Sequence, residues 1–374
     1  MKKITVLEVV LPIVWFGLGA GLWGPMRDMS SRADAGFSWR RVTDHAQFHI
    51  RDSAGELVYD GKMWLMGGWI DSNGPFPNDV WNSTDGVHWT CVTPAAAWTP
   101  VALPVTMVHD NQMWLMSGWY GGRSQGAHAS NEVWHSTNGS DWTQATTAAP
   151  WAARTGAAGA VLNGRMWIMG GITASVGGTP LNDVWSSSDG VNWTQATAHA
   201  PWSPRGLHQA LSFDNKLWVF GGGNYSPEFW SSNEVWNSSD GVNWTKVTTH
   251  APWDPRVWFS AEVYQGRMWI MGGSGKSSGE RLNDLWSSTD GINWTQLKTD
   301  TTWDPRHEMS SYVFDDKLWV VAGFAVAPTG LANDVWQIGI TAPEPSTLAL
   351  LTTAVIGTVA YAWRRRNGCS GLNH

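Results

Sequence analysis

Residues 165–195 read RMWIMGGITASVGGTPLNDVWSSSDGVNWTQ. The stretch predicts three strands and two connections. Residues 165–169 are a short run of large side chains, and Gly170-Gly171 is expected to stop it. Residues 181–187 form a second run, opened by Asn182-Asp183. Asp189-Gly190 then signals a tight hairpin, because glycine supplies the positive φ that such a turn needs. Residues 191–195 return as the partner strand. A sheet this small cannot bury its own tryptophans, so it requires neighbours of the same kind.

The chain supplies those neighbours in six copies. Trp64, Trp114, Trp167, Trp218, Trp269 and Trp319 each precede a small residue-glycine pair. Trp81, Trp134, Trp185, Trp236, Trp286 and Trp336 each follow Asn-Asp or Asn-Glu and a Val or Leu. Successive members of the second series are 53, 51, 51, 50 and 50 residues apart. A period near 50 with several short strands per repeat marks a propeller blade. Apolar residues at three- and four-residue spacing, the mark of a helical solenoid, do not occur in these segments.

A third series, Trp89, Trp142, Trp193, Trp244 and Trp294, lies eight residues after the second. The sixth copy has no such partner, since Gln337-Ile338-Gly339-Ile340 follows Trp336 and the chain then changes character. The missing strand stands at the other end, in residues 37–42, where Trp39 precedes Trp89 by 50 residues. The N-terminal strand is therefore expected to complete the last blade. Such closure removes the sheet edges that would otherwise aggregate.

Gly-Gly after one strand, an aromatic after Asn-Asp, and Trp eight residues later together resemble the Kelch repeat. The resemblance covers residues 37–340, with Trp where Tyr is common. It implies an all-β, six-bladed Kelch-type propeller, here with apolar helices at both chain ends. It implies no single activity, because such folds carry enzymes and binding modules alike.

Three segments follow: 1–32, 33–341 and 342–374. The first reads as an export signal or uncleaved anchor, with Lys2-Lys3 before an apolar run broken only by Glu8. In the last, Pro343-Glu344-Pro345 precedes an apolar run at 347–363 and then Arg364-Arg365-Arg366. The run is near the lower limit for spanning a bilayer, and the arginines favour the cytoplasmic side. The order Pro-Glu-Pro, apolar helix and arginine cluster closely resembles the PEP-CTERM sorting signal. That resemblance implies cleavage by a membrane exosortase and release to the cell surface or medium, often in cells that make extracellular polysaccharide. A plain membrane anchor is the other reading. The formal charge of −7 argues against a nucleic-acid partner. Cys91 and Cys369 fall on opposite sides of the apolar run, so no disulfide framework is expected in the propeller.

Most of the 30 tryptophans recur once per blade and so read as packing. A fourth series, Trp98, Trp151, Trp202, Trp253 and Trp303, lies between blades. Outside the membrane segments, Trp69, Trp119, Trp230 and Trp258 stand out of register. The connection from strand 2 to strand 3 and the connection between blades open on one face, and all four map near it. With Tyr120, Tyr225 and Glu228 they form the candidate ligand site, and Asn224 is a further polar contact. Rings that stack on sugars and polar groups that take hydroxyls make polysaccharide the leading ligand class.

Arg51, Arg154, Arg205, Arg256 and Arg306 each follow a third-series Trp by 12 residues, with Val101 in that place in the second blade. They are either an anion site at the channel mouth or a repeated structural bond to a carbonyl or carboxylate. Catalytic constellations are weak. The Ser-x-Asp-Gly-x-x-Trp turns resemble sialidase Asp-boxes one residue short, Tyr264 is near Glu262, and His208 and His307 are isolated. No cofactor or metal site is expected. The reading is an exported, non-catalytic binding module for polysaccharide or another envelope component. A glycan-active enzyme, such as a sialidase-like hydrolase or sugar epimerase, and an envelope protein scaffold are the alternatives.

Overall fold

The computed structural model describes residues 38–339 apart from 71–75, 121–127, 175–176, 278, 301 and 327–329. The expected apolar segments at both chain ends, and Phe37 of the closing strand, lie outside the described residues. Among the described residues no helix is long and apolar enough to cross a membrane.

Six four-stranded antiparallel sheets follow one another. Blade 3 shows the pattern: Ala158–Leu162, Arg165–Ile172, Pro180–Ser187 and Thr194–Thr197, paired in that order. The inner strands of successive blades pack side by side: Gly55–Tyr59, Val105–His109, Ala158–Leu162, Gln209–Phe213, Ser260–Tyr264 and Ser310–Phe314. The last also packs on the first, so the ring is closed. The outer strand of blade 6 is Arg40–Thr43, antiparallel to Val335–Ile338 with Arg41 opposite Trp336. The N-terminal strand thus completes the final blade, as the missing third-series Trp implied.

Two local expectations need correction. The second strand of blade 3 does not stop at Gly170-Gly171 but continues through a bulge to Ile172. The last strand starts at Thr194 rather than at 191, because the turn is longer than a two-residue hairpin. Ser187 Oγ accepts from the N–H groups of Asp189 and Gly190, at 3.2 and 2.9 Å. Asp189 Oδ1 accepts from those of Val191 and Asn192, and Trp193 Nε1 donates to the Gly190 carbonyl. Side chains have replaced the strand ladder over these residues, which is the ordinary competition of Ser and Asp with regular structure.

These turns also join the blades. A Cβ on Gly190 of blade 3 would stand 2.1 Å from the Trp114 ring of blade 2. The same contact joins Gly139 to Trp64, Gly241 to Trp167, Gly291 to Trp218 and, across the closure, Gly86 to Trp319. Only glycine offers both the positive φ and the bare surface on which the next blade's indole lies. The fourth-series tryptophans are the most deeply buried indoles among the described residues, and each meets a third-series Trp edge to face, as Trp202 meets Trp244 at 6.1 Å. The closure repeats the pair with Trp303 on Trp39 at 6.1 Å. Phe48, 50 residues before Trp98, is the sixth member of this series and packs on Trp89 at 5.2 Å. A search for Trp alone passes over it.

Candidate functional site

The connections on one face are held by repeated clamps. Arg256 Nη1 and Nη2 donate to both carboxylate oxygens of Asp284, at 2.7 and 2.8 Å, and Nη1 also to the Gly272 carbonyl. Trp286 Nε1 donates to the same carboxylate. Arg51–Asp79, Arg154–Asp183, Arg205–Glu234 and Arg306–Asp334 repeat this pairing. Their guanidinium groups are buried. Burial works against the charge on Glu234, but bonds from Lys246, Arg205 and Trp236 bring its pKa down to about 2. Of the two readings of the arginine ring, the anion site at the channel mouth is therefore corrected. The forks are spent on carboxylates of their own blades and lie out of reach of a ligand.

Two residues beyond each arginine position the backbone turns with positive φ. These residues are Ser53, Leu103, Gly156, Leu207, Trp258 and Glu308. Backbone hydrogen bonds link them from blade to blade: Leu103 N to Ser53 O, Leu207 N to Gly156 O, Trp258 N to Leu207 O, Glu308 N to Trp258 O, and Ser53 N to Glu308 O. They are 2.7–3.1 Å long and span five of the six junctions. This girdle is a floor. On one side lies the channel, a cavity of about 360 Å³, and on the other a cup of about 270 Å³.

The cup wall comes from a second register position, the residue after the small residue-glycine pair that follows the first-series Trp. That residue is Trp69 in blade 1, Trp119 in blade 2, Ile172 in blade 3 and Phe324 in blade 6, and all four line the cup. The preceding glycine is required. Gly68 has φ +107, and a Cβ there would stand 2.6 Å from the Asp52 carbonyl. Trp69 and Asp52 exchange backbone hydrogen bonds at 2.8 and 3.0 Å, which fixes wall to floor.

On one side the aromatic groups form a continuous stack. Tyr225 leans on Trp258 at 5.1 Å, Trp258 lies over His307 at 5.2 Å, and His307 lies over Phe324 at 5.4 Å. The Arg281 guanidinium caps Phe324 at 4.7 Å. Opposite, Trp119 meets Phe76 edge-on at 5.2 Å. The indole N–H groups of Trp119 and Trp258 are buried and have no acceptor among the described residues. Glu308 accepts from Ser53 Oγ at 2.9 Å and lies 2.8 Å from His307 Nδ1.

Of the expected site residues, Trp69, Trp119, Tyr225 and Trp258 converge on this cup. Tyr120 does not present a ring face, since it is buried with its edge against His128. Trp230 and Glu228 do not line the cup either. Trp230 lies over the Arg205 guanidinium at 5.8 Å, and Glu228 is exposed on the loop. Asn224 is buried and donates to the Ser226 carbonyl at 2.7 Å. Leu103, Ile172, Leu207, Phe324 and Arg281 were missed. Their signal was available as variation at two fixed register positions, plus one arginine at the start of a third strand.

Below the floor the channel is polar. Glu262 accepts from Ser311 Oγ at 2.8 Å, and enclosure by the channel wall raises its pKa to about 7. Burial first, and then the charge of Glu262, raises Glu56 well above the carboxylate range. Tyr264, two residues from Glu262, uses its hydroxyl on the Asp316 carbonyl at 2.7 Å. His208 is buried beside Trp202, and burial together with the Arg205 charge holds it neutral down to about pH 3. Among the described residues no three His, Cys, Asp or Glu side chains gather as a metal-binding group.

Residues 187–348 match the KLHDC2/KLHL20/DRC7 Kelch-repeats domain. Residues 341–366 match the PEP-CTERM protein-sorting motif. No curated protein matches the chain. The protein thus carries Kelch repeats on a β-propeller and ends in a sorting signal that implies export and processing by an exosortase.

Proposed function

We propose that this Kelch propeller is an exported binding module whose cup takes a saccharide of the cell envelope or of extracellular polysaccharide. The observation that carries the reading is the cup itself. Five aromatic rings, Trp69, Trp119, Tyr225, Trp258 and Phe324, line the hollow. Indole faces stack on the C–H side of a sugar ring, which is what the rings of the cup offer.

Segment 1–32 serves export or anchoring, and segment 342–374 serves sorting. The run at 347–363 holds the chain in the inner membrane until cleavage near Pro343–Pro345 frees the propeller. Mass spectrometry of protein from cells with the exosortase system is expected to find the C-terminus there. Recovery of Cys369 and His374 on the mature protein would leave only the anchor reading. For the ligand, a glycan array with the purified full chain is expected to give binding that Trp119→Ala weakens. Capture of a protein partner with no glycan bound would favour the scaffold, and turnover of a chromogenic glycoside would favour the enzyme.

A further inference from the structure

Among the described residues, every buried or half-buried arginine but one has a polar partner. The five clamp arginines pair with carboxylates. Arg165 and Arg267 donate to Ser186 and Ser287. Arg281 is the exception. It stands at the start of Arg281–Ser288, opposite Ser274, half-buried and lining the cup. Its Nε is buried without an acceptor among the described residues, and its guanidinium lies over the Phe324 ring. A guanidinium taken partly out of water and left without an anion is costly, and its five donors form a fork that suits carboxylate or sulfate.

We propose that the saccharide bound in the cup is acidic, with Arg281 holding its carboxylate or sulfate group, a reading that rests on the cup being a glycan site. The other charged group of the cup is consistent with this. Glu308 would repel an anion, but it is already engaged by the Ser53 hydroxyl and lies against His307, on the floor. Arg281 caps the outer end of the stack, beyond Phe324 from Trp258. An acidic substituent on the Arg281 side leaves the neutral ring for the indoles. The pairing is electrostatic and directional, so it contributes selectivity as well as affinity.

The test uses matched probes on the full chain. Oligomers of galacturonate, mannuronate and glucuronate are compared by titration calorimetry with their carboxyl-reduced forms, and a sulfated galactan with its desulfated form. At least one acidic probe is expected to bind tenfold or more tighter than its neutral twin, with the difference narrowing as salt rises. Arg281→Gln is expected to erase that difference. Whether the carboxylate or the sulfate pair shows the difference identifies the natural substituent. Equal affinity for acidic and neutral twins, or a preference that survives Arg281→Gln, overturns this proposal but not the glycan site. Absence of binding to every probe, acidic and neutral, overturns the glycan site and this proposal with it. Circular dichroism of Arg281→Gln confirms that the fold is retained.

Discussion

Gly86 of blade 1 lies flat against Trp319 of blade 6: a methyl group on that glycine would stand 2.3 Å from Cζ3 of the indole. The contact joins the first and last blades across the closure of the ring. Gly86 also has φ +73, so alanine there is strained twice. Gly86→Ala is expected to destabilise by about 2–4 kcal/mol, combining left-handed strain with overpacking. Gly61→Ala is the control, since it shares the positive φ but has nothing within 4 Å. It should cost about 1 kcal/mol. Urea denaturation of the two variants compares them directly, and equal losses would mean that the indole contact carries no weight.

Closure by the N-terminal strand predicts a sharp dependence on where the chain begins. Starting at Asp44 removes Arg40–Thr43, leaving Trp336 without the neighbour of its strand and Trp303 without Trp39. Relative to a chain starting at Ala33, the melting temperature is expected to fall by more than about 5 °C, with aggregation through the open edge. Calorimetry showing both chains melting alike would contradict this.

The arginine clamps predict an asymmetry between breaking and replacing a pair. Arg256→Met leaves Asp284 without its fork, and the loss is expected to be about 3–5 kcal/mol. Arg256→Met with Asp284→Leu should recover much of that. Blade 2, with Val101 in the arginine position, shows that the fold accepts an apolar residue there. On the acid side, Asp284 and Asp334 lie below the usual carboxylate range. Burial raises them, but bonds from Arg256 or Arg306 and from Trp286 or Trp336 outweigh it. Carboxylates so depressed stabilise the fold above their unfolded pKa, and that support is lost as pH falls through the folded value. Unfolding is therefore expected to set in below about pH 4.

Glu262 has the opposite sign. Its folded pKa near 7 exceeds the ordinary value of 4.5, so across that interval the native state holds a proton that the unfolded chain has released. Stability should then fall as pH rises from 5 to 8. Glu262→Gln keeps an acceptor for Ser311 and removes the titration. It is expected to be more stable than the parent at pH 8 by about 1–2 kcal/mol after allowance for solvent screening, and little different at pH 5. Urea midpoints at the two pH values measure the slope, and parallel slopes would remove Glu262 from the account.

Cup and core tryptophans should separate by what they affect. Trp119→Ala is expected to cost about 1–3 kcal/mol of glycan affinity with a small change in melting temperature, since Trp119 is half-buried on the cup wall. Trp202→Ala, in a fully buried ring that meets Trp244 edge-on, should cost about 3–5 kcal/mol of stability. Trp230→Ala belongs with the second kind, because its ring covers Arg205 and not the cup. If Trp119→Ala destabilises as Trp202→Ala does, its ring is core and the ligand lies elsewhere.

The repeat was legible because each blade must solve the same packing problem. Trp at three positions, Asn-Asp before the third strand and Gly in the turn recur wherever an indole lies on the next blade. The count of blades and the return of Trp39 to the last one follow from that spacing. The clamps were half legible. Arginine recurred at 12 residues after Trp, but its partner lies 28 or 29 residues further on, at the Asp of Asn-Asp. Only the folded chain shows that the two meet.

The cup was harder to read because its residues are those that do not repeat. Trp69, Trp119, Ile172 and Phe324 share one register position, and Leu103, Leu207, Trp258 and Glu308 another, yet they differ in size and polarity. A search for recurring tryptophans sets such residues aside or, like Trp230, places them by loop membership alone. What periodicity determined by itself was the architecture, since burial of one face per blade imposes one residue type at one spacing. What only the tertiary structure decided was which side chains meet across the ring axis. Rotation about that axis brings residues as far apart in sequence as Ser53 and Phe324 into one hollow, and nothing local in the chain records that meeting.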